Sequence, residues 1–456
     1  MVSLTIDEIT KALDGQLLCG DPQMLIDNVT TDSRTKDGGL FVALVGENHD
    51  AHDYIPQFFD NGGKAVISHK KDVKGSCVIL VEDTGRALLK LGGYYRSKFD
   101  IPVIGITGSV GKTSTKDMVF GVMNTKFNTL KTPDNKNNEI GMPLTLLSLE
   151  KQHKAAVIEM GMSHFGEISS MALQAKPQLG IITNIGTAHI GNLGSQEGIL
   201  KAKLELIDGI DKDGLLVLNG DDDLLWSMKG KLGIKTVYFG IDNKESDILA
   251  YDIQETADST SFTTEYGQFT IPVVGRYMVL NALAAIVAGR YYDIENELII
   301  KGAEGYQPSK MRQEIETIAG VKIISDCYNA SVASMEASLQ VMKTVATGRK
   351  IAVLGDMLEM GEFSEDCHRQ VGRLAVENGA DIVICVGENA KYIVEEAKNG
   401  GAMAYWFDDN QSAAQHINLS VEKGDTLLFK ASRGMKFEDI VELVTQELEK
   451  GSESNE

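Results

Sequence analysis

Cysteine is scarce and scattered. Cys19, Cys77, Cys327, Cys367 and Cys385 are odd in number and form no Cys-x-x-Cys pair. That argues against a disulfide framework or a cysteine zinc site, and it suits a reducing cytoplasm. Positive charge is also short: 44 lysines and arginines face 65 acidic residues, a formal charge of -21. No broad basic surface survives that imbalance, so general nucleic-acid binding and anionic-membrane binding are excluded. Small anionic ligands are not excluded, because they need only a local nest of donors. No apolar run is long enough to span a bilayer, so no integral membrane segment is expected. The opening Met1-Val2-Ser3-Leu4 lacks the cationic and apolar regions of a secretory signal. No internal repeat suggests a solenoid.

What is present centres on one stretch. An apolar run, Val103-Ile104-Gly105-Ile106, leads into Thr107-Gly108-Ser109-Val110-Gly111-Lys112-Thr113, and Ser114-Thr115-Lys116 continue into a helix. This is the layout of a phosphate-binding loop. Backbone N–H groups and a helix N-terminus face the anion, the lysine adds a point charge, and the threonine hydroxyl can ligate Mg²⁺. The usual pattern has a glycine where Ile106 stands, so the loop is compressed.

At 456 residues the chain has room for about three domains. Residues 1–83 read as a small α/β unit with strands near Leu40–Leu44, Lys64–Ser68 and Cys77–Val81. On its residues alone, Ser33-Arg34 reads as a turn with a solvated arginine. Residues 84–307 hold the loop. Two further buried strands there end in Glu159 and, just beyond Thr183-Asn184, in His189. Three strands thus deliver a loop, a carboxylate and a histidine to their C-terminal ends, where open α/β sheets bind ligands. His189 is read there as either a structural residue or a metal or phosphate contact. Lys201 and Lys203 sit on a following amphipathic helix, whose plain reading is a solvated charged face. Residues 308–456 restart the strand–helix alternation without a dinucleotide fingerprint, as a second doubly wound unit. A frayed tail is expected over 451–456. The fold class expected is α/β in three domains: a central phosphate-loop ATPase sheet, a C-terminal Rossmann-like domain and a smaller N-terminal one.

These residues together resemble the Mur ligases, ATP-dependent amide-forming enzymes of peptidoglycan assembly, over essentially the whole chain. The likeness rests on the compressed loop, Glu159, the segment Thr183 to His189 and the Lys201-Ala202-Lys203 helix. Within the family it looks most like the type that adds D-alanyl-D-alanine. Asp32-Ser33-Arg34, Asn135-Lys136-Asn137-Asn138, Asp326-Cys327-Tyr328-Asn329-Ala330 and Gly355-Asp356-Met357-Leu358-Glu359-Met360-Gly361 with His368 carry that likeness. The Asp-Asn-Pro-Arg signature of the diaminopimelate-adding relative is absent from the sequence. Three departures stand out. The family's Tyr-Asn-Ala-Asn-Pro ends in Ser331-Val332, its Gly-x-His is Gly275-Arg276-Tyr277, and its Lys-Gly-Ser-Arg is Lys430-Ala431-Ser432-Arg433.

The resemblance implies a ligase that uses ATP to join a UDP-N-acetylmuramoyl tripeptide to D-Ala-D-Ala through an acyl phosphate, acting as a monomer. It implies Lys112 at the β- and γ-phosphates, with Gly108, Ser109, Gly111 and Ser114 as the cradle. Thr113 and Glu159 would hold one Mg²⁺ and His189 a second, beside a carbamylated Lys203, with Lys201 as the weaker alternative. Asn281, Arg312 and Asp326 are implied nucleotide contacts, Arg312 reaching phosphate when the third domain closes. Ser33 and Arg34 become contacts of the UDP-sugar end, Asn137 and Asn138 of the muramoyl peptide, and Tyr328 and Asn329 of the dipeptide. Two rivals are a folylpolyglutamate-type ligase or another Mur step, and a non-enzymatic ATP sensor.

Overall fold

The computed structural model describes residues 1–36 and 38–453. Its centre is a seven-stranded parallel sheet. Strand Val103–Thr107 lies between Ala155–Glu159 on one side and Leu179–Ile182 on the other. Thr129–Lys131 forms one edge. Leu215–Asn219, Lys235–Gly240 and Ile248–Leu249 extend the sheet the other way. The three inner strands are buried along their whole length. Helices cover both faces, so near-continuous Val, Ile, Leu and Ala runs are what such strands require. The chain leaves Val103–Thr107 and forms Ala155–Glu159 on one side, then crosses to Leu179–Ile182 on the other. The crevice between the strand ends opens where the order reverses.

One face of this sheet packs on the alanine-rich helix Arg276–Tyr291 and the loop helix Lys112–Met123. The other face is continuous with the N-terminal unit. Leu4, Ile6, Leu40 and Ile67 share one core with Leu88, Val103, Met142 and Ile158. The N-terminal unit carries a five-stranded sheet in the order Gln16–Cys19, Val78–Leu80, Ala65–Ser68, Leu40–Val42, Val29–Thr30. Hydrogen bonds also cross: Tyr95 Oη donates to Leu149 O (2.6 Å) and accepts from Val2 N (2.6 Å).

The C-terminal unit has six strands and separate cores on its two faces. Five are parallel: Val321–Ser325, Thr426–Lys430, Lys350–Gly355, Ile382–Val386 and Met403–Phe407. The sixth, Glu314–Ile318, pairs antiparallel at the edge. Both edge strands, Glu314–Ile318 and Met403–Phe407, go beyond the sequence expectation. Helix Glu438–Glu453 runs into the segment expected to fray, because its apolar face seats Ile440 and Val444 in the core. Residues 454–456 of that segment lie outside the described residues.

Candidate active site

The phosphate loop is fixed mainly by its neighbour strand. Ser109 N donates to Asn184 O (3.0 Å) and Val110 N to Asn184 Oδ1 (2.9 Å). Val110 O accepts from Thr183 Oγ1 (2.6 Å) and Asn184 Nδ2 (2.9 Å). Gly108 has φ +151°, and a Cβ there would collide with Thr183 Oγ1. Its glycine is therefore a packing requirement of the compressed loop. Lys112 folds back, donating to Gly108 O at 2.8 Å. Burial lowers its pKa and Arg312 adds to that, while Glu159 opposes it.

Glu159 is 1% exposed. Its Oε1 accepts from Thr113 Oγ1 (3.2 Å) and Asn137 Nδ2 (2.7 Å), while Oε2 has no hydrogen-bond partner. Among the described residues the same is true of the buried Thr107 Oγ1, Ser109 Oγ and Thr187 Oγ1. Unpaired buried polar atoms are costly, and this concentration at three adjacent strand ends fits ligands that complete the site. Among the described residues no group of three His, Cys, Asp or Glu side chains could hold a metal by itself. A hydroxyl and one carboxylate suit Mg²⁺, which takes few protein oxygens and shares substrate phosphates.

His189 adopts left-handed backbone (φ +63°), and its Nδ1 lies 2.5 Å from Glu359 Oε2 of the C-terminal unit. Burial lowers its pKa, and Lys112 and Lys203 push the same way against Glu359. Lys203 is 2% exposed and, among the described residues, has no hydrogen bond or ion pair. Burial, then the nearby Lys112, hold its pKa well below that of a free lysine. Lys201 is solvent-exposed, its Nζ 5.6 Å from the Phe165 ring centroid. Burial thus separates two lysines that the sequence left as alternatives.

The loop, Glu159 and His189 open on one cleft of about 510 Å³; of the expected residues, Lys203, Lys201, Gly108, Asn281, Ser33 and Arg34 do not line it. Ser109 to Ser114, Asn137, Asn138, Glu159 and His189 line the central side; Arg312, Asp326, Tyr328 and Asn329 line the C-terminal side. Arg312 stacks over Tyr328 at 4.1 Å. Asp326 Oδ2 accepts from Lys430 Nζ (2.6 Å) and Ser338 Oγ (2.5 Å). Asn138 Oδ1 caps the backbone at Ile140 and Gly141. Asn281 lies beneath the loop, accepting from Thr115 Oγ1 at 3.0 Å. Ser33 and Arg34 lie apart from the cleft, Arg34 paired in two bonds with Asp32. Tyr277, where the family pattern has histidine, is half-buried and bonded to Gln313 Oε1.

Residues 106–289 match the Mur ligase middle domain, and 311–433 match the Mur ligase, glutamate ligase domain. The UDP-N-acetylmuramoyl-tripeptide--D-alanyl-D-alanine ligase of Bacillus subtilis is 38% identical, over 97% of this chain and 98% of that one. The chain belongs to the Mur ligase family, in its MurF branch. Its fold matches MurF from Acinetobacter baumannii (31% identity, TM-score 0.91, 97% and 99% of the two chains). It also matches MurF ligase from Thermotoga maritima in complex with ADP (29%, TM-score 0.83, 93% and 98%).

In this Mur ligase several site residues escaped sequence reasoning. Lys116 is buried, 3.5 Å from Asp117 Oδ1 and 3.8 Å from Glu159 Oε2. Asp117 also accepts from Lys131 Nζ (2.7 Å) and from Ser309 Oγ (2.5 Å), on the connector to the C-terminal unit. Tyr306, on the same connector, hydrogen-bonds Ser114. The only sequence signal was the helical spacing that places Lys116 and Asp117 three and four residues beyond Thr113.

Proposed function

We propose that this chain is an ATP-dependent ligase that joins the carboxylate of a UDP-N-acetylmuramoyl tripeptide to the amine of D-Ala-D-Ala, giving a pentapeptide precursor of peptidoglycan. One observation carries the reading: the phosphate loop, Glu159 and His189 meet at the ends of three adjacent parallel strands, in a cleft walled by the C-terminal unit, with the buried Lys203 close to Lys112 and His189 but outside the cleft lining. Residues 1–83 are assigned to the UDP-sugar end, 84–307 to ATP and 308–456 to the amine.

A carboxylate is a poor acyl donor until one oxygen becomes a leaving group. The tripeptide carboxylate attacks the γ-phosphorus of ATP, ADP leaves, and an acyl phosphate results. The dipeptide amine then attacks the carbonyl and phosphate leaves. The first step needs charge neutralisation and in-line positioning more than covalent help. Lys112 turns from its loop carbonyls to the β- and γ-phosphates, and Ser109, Gly111 and Ser114 complete the cradle, with Gly108 shaping it. Arg312 faces the same anion from the C-terminal side, and Asn281 braces the loop below. Thr113 and Glu159 would hold one Mg²⁺, and His189 with Lys203 a second, supplying charge neutralisation at the phosphoryl oxygens. Burial, and then Lys112, lower the pKa of the Lys203 amine well below that of a free lysine, which favours carbamylation, a change that replaces a cation with an oxygen ligand. Asp326 is the candidate contact for the nucleotide's ribose. Asn137 and Asn138 face the muramoyl peptide, Tyr328 and Asn329 the dipeptide. Ser33 and Arg34 are assigned to the uridine diphosphate end, where Arg34 would exchange Asp32 for phosphate. The reading takes the chain to act as a monomer in the bacterial cytoplasm.

The test is phosphate release with ATP, Mg²⁺, D-Ala-D-Ala and a UDP-muramoyl tripeptide carrying lysine or diaminopimelate. Turnover that needs both the tripeptide and the dipeptide is expected. Turnover with glutamate or another amine in place of the dipeptide would refute the reading.

A further inference from the structure

The acyl acceptor in this reading is an ammonium before it reacts, and the cleft it enters is built for anions. Lys112, Arg312, Lys430 and Arg433 all line it. The dipeptide is a zwitterion, and its ammonium end is repelled there unless a carboxylate receives it. Four carboxylates line the cleft: Glu159, Glu167, Asp326 and Glu359. Three are engaged by this chain's own donors. Glu159 accepts from Thr113 and Asn137, Glu167 from Ser163 N at 2.8 Å, and Asp326 from Lys430 and Ser338. Glu359 alone takes no backbone, hydroxyl, amide or lysine donor among the described residues; its one partner there is His189, whose Nδ1 lies 2.5 Å from its Oε2. Its side chain is 55% exposed.

The loop that carries Glu359 is held rigid around it. Asp356 Oδ1 accepts from Asn389 N and Ala390 N. Met357 N donates to His368 Nε2 at 2.9 Å, and Leu358 N to Ser432 Oγ at 2.9 Å. Glu359 itself sits in left-handed backbone, φ +65°, a conformation a non-glycine residue holds only when its surroundings impose it. The carboxylate is therefore aimed, at the wall where the C-terminal unit meets the end of the strand bearing His189.

We propose that Glu359 is the carboxylate that binds the ammonium group of the amine substrate and so selects an acyl acceptor with a free ammonium end. The assignment rests on the ligase reading above. It explains how the C-terminal unit can deliver an amine into a cleft lined with lysine and arginine.

The experiment is steady-state kinetics of Glu359→Gln and Glu359→Asp with each substrate varied in turn. Gln keeps the size and removes the charge, so KM for D-Ala-D-Ala should rise about tenfold or more, with KM for ATP and tripeptide within about twofold. Asp should fall between wild type and Gln. Hydroxylamine, a neutral nucleophile at pH 7, should trap the acyl phosphate as hydroxamate at the wild-type rate in Glu359→Gln, showing a folded and competent first step. An unchanged KM for the dipeptide in Gln overturns the proposal. So does a rise in the Mg²⁺ or ATP requirement with lost hydroxamate, which would make Glu359 part of the phosphate-transfer machinery. If wild type itself does not use the dipeptide, the ligase reading fails first, and the two failures are distinct.

Discussion

Replacing Lys203 with methionine should stabilise the fold and destroy the activity together. In the folded chain the amine is buried without a partner. An unsatisfied buried polar group costs about 1–3 kcal/mol, and methionine keeps the length and apolar volume of the stem. The transition containing the central sheet should therefore gain about 1–3 kcal/mol at pH 7. The pH dependence gives a second check. Burial lowers the folded pKa below the unfolded value of about 10.4. Between the two values the unfolded chain binds more protons, so Lys203's contribution to wild-type stability is full above the unfolded value and is lost as pH falls through the folded one. The methionine variant has no such contribution to lose. Its advantage should shrink steadily from pH 7 to pH 10. The assay is denaturant unfolding in CO2-free buffer without nucleotide, so that the wild-type amine is unmodified. Ligase activity in the same variant should fall by about 100-fold or more, the loss typical of an electrostatic group at a reacting centre. A variant no more stable than wild type at pH 7, or an advantage that does not change with pH, would refute the account of an unpaired amine.

Lys112→Ala should abolish acyl-phosphate formation while calorimetric binding of the UDP-linked tripeptide survives, because the uridine end is anchored elsewhere. Gly191→Ala places a methyl 3.1 Å from Glu359 O and Gly361 N across the junction of the central and C-terminal units. That overpacking should cost about 1–3 kcal/mol of closure, read as a larger radius of gyration by small-angle scattering with nucleotide and tripeptide bound. His52, His189 and His368 all have pKa values lowered by burial. Their contribution to stability is complete above the unfolded value of about 6.5 and is lost as pH falls through the folded values, so the unfolding midpoint should drop between pH 7.5 and pH 5. His368→Gln should soften that drop, since protonation at Nε2 breaks the bond from Met357 N.

The inner strands of the central and C-terminal sheets were legible because both faces are covered and the residues are apolar throughout. Edge strands were not. Glu314–Ile318 alternates glutamate with apolar residues, and Met403–Phe407 exposes Met403, Tyr405 and Trp406, so neither carries the buried-strand signature. The loop lysine, Glu159 and His189 were legible because strand ends at a switch point make a site of any polar residue placed there. Lys116 and Asp117 look like a solvated helical charge pair until the sheet covers them. Lys201 and Lys203 differ by two positions on one helix. Sequence separates their faces, but only packing shows which face is inside. Asn281 was expected as a nucleotide contact; the fold places it beneath the loop, accepting from Thr115 Oγ1 and outside the cleft lining.

The N-terminal and central units share one hydrophobic core. With Ser33 and Arg34 proposed for the uridine end, that core sets how far this end stands from the phosphate loop, and the separation acts as a ruler. A peptide too short for it leaves its carboxylate shy of the γ-phosphate, whatever its side chains. Chain length, set by a hydrophobic seam far from either ligand, becomes a criterion for choosing the substrate.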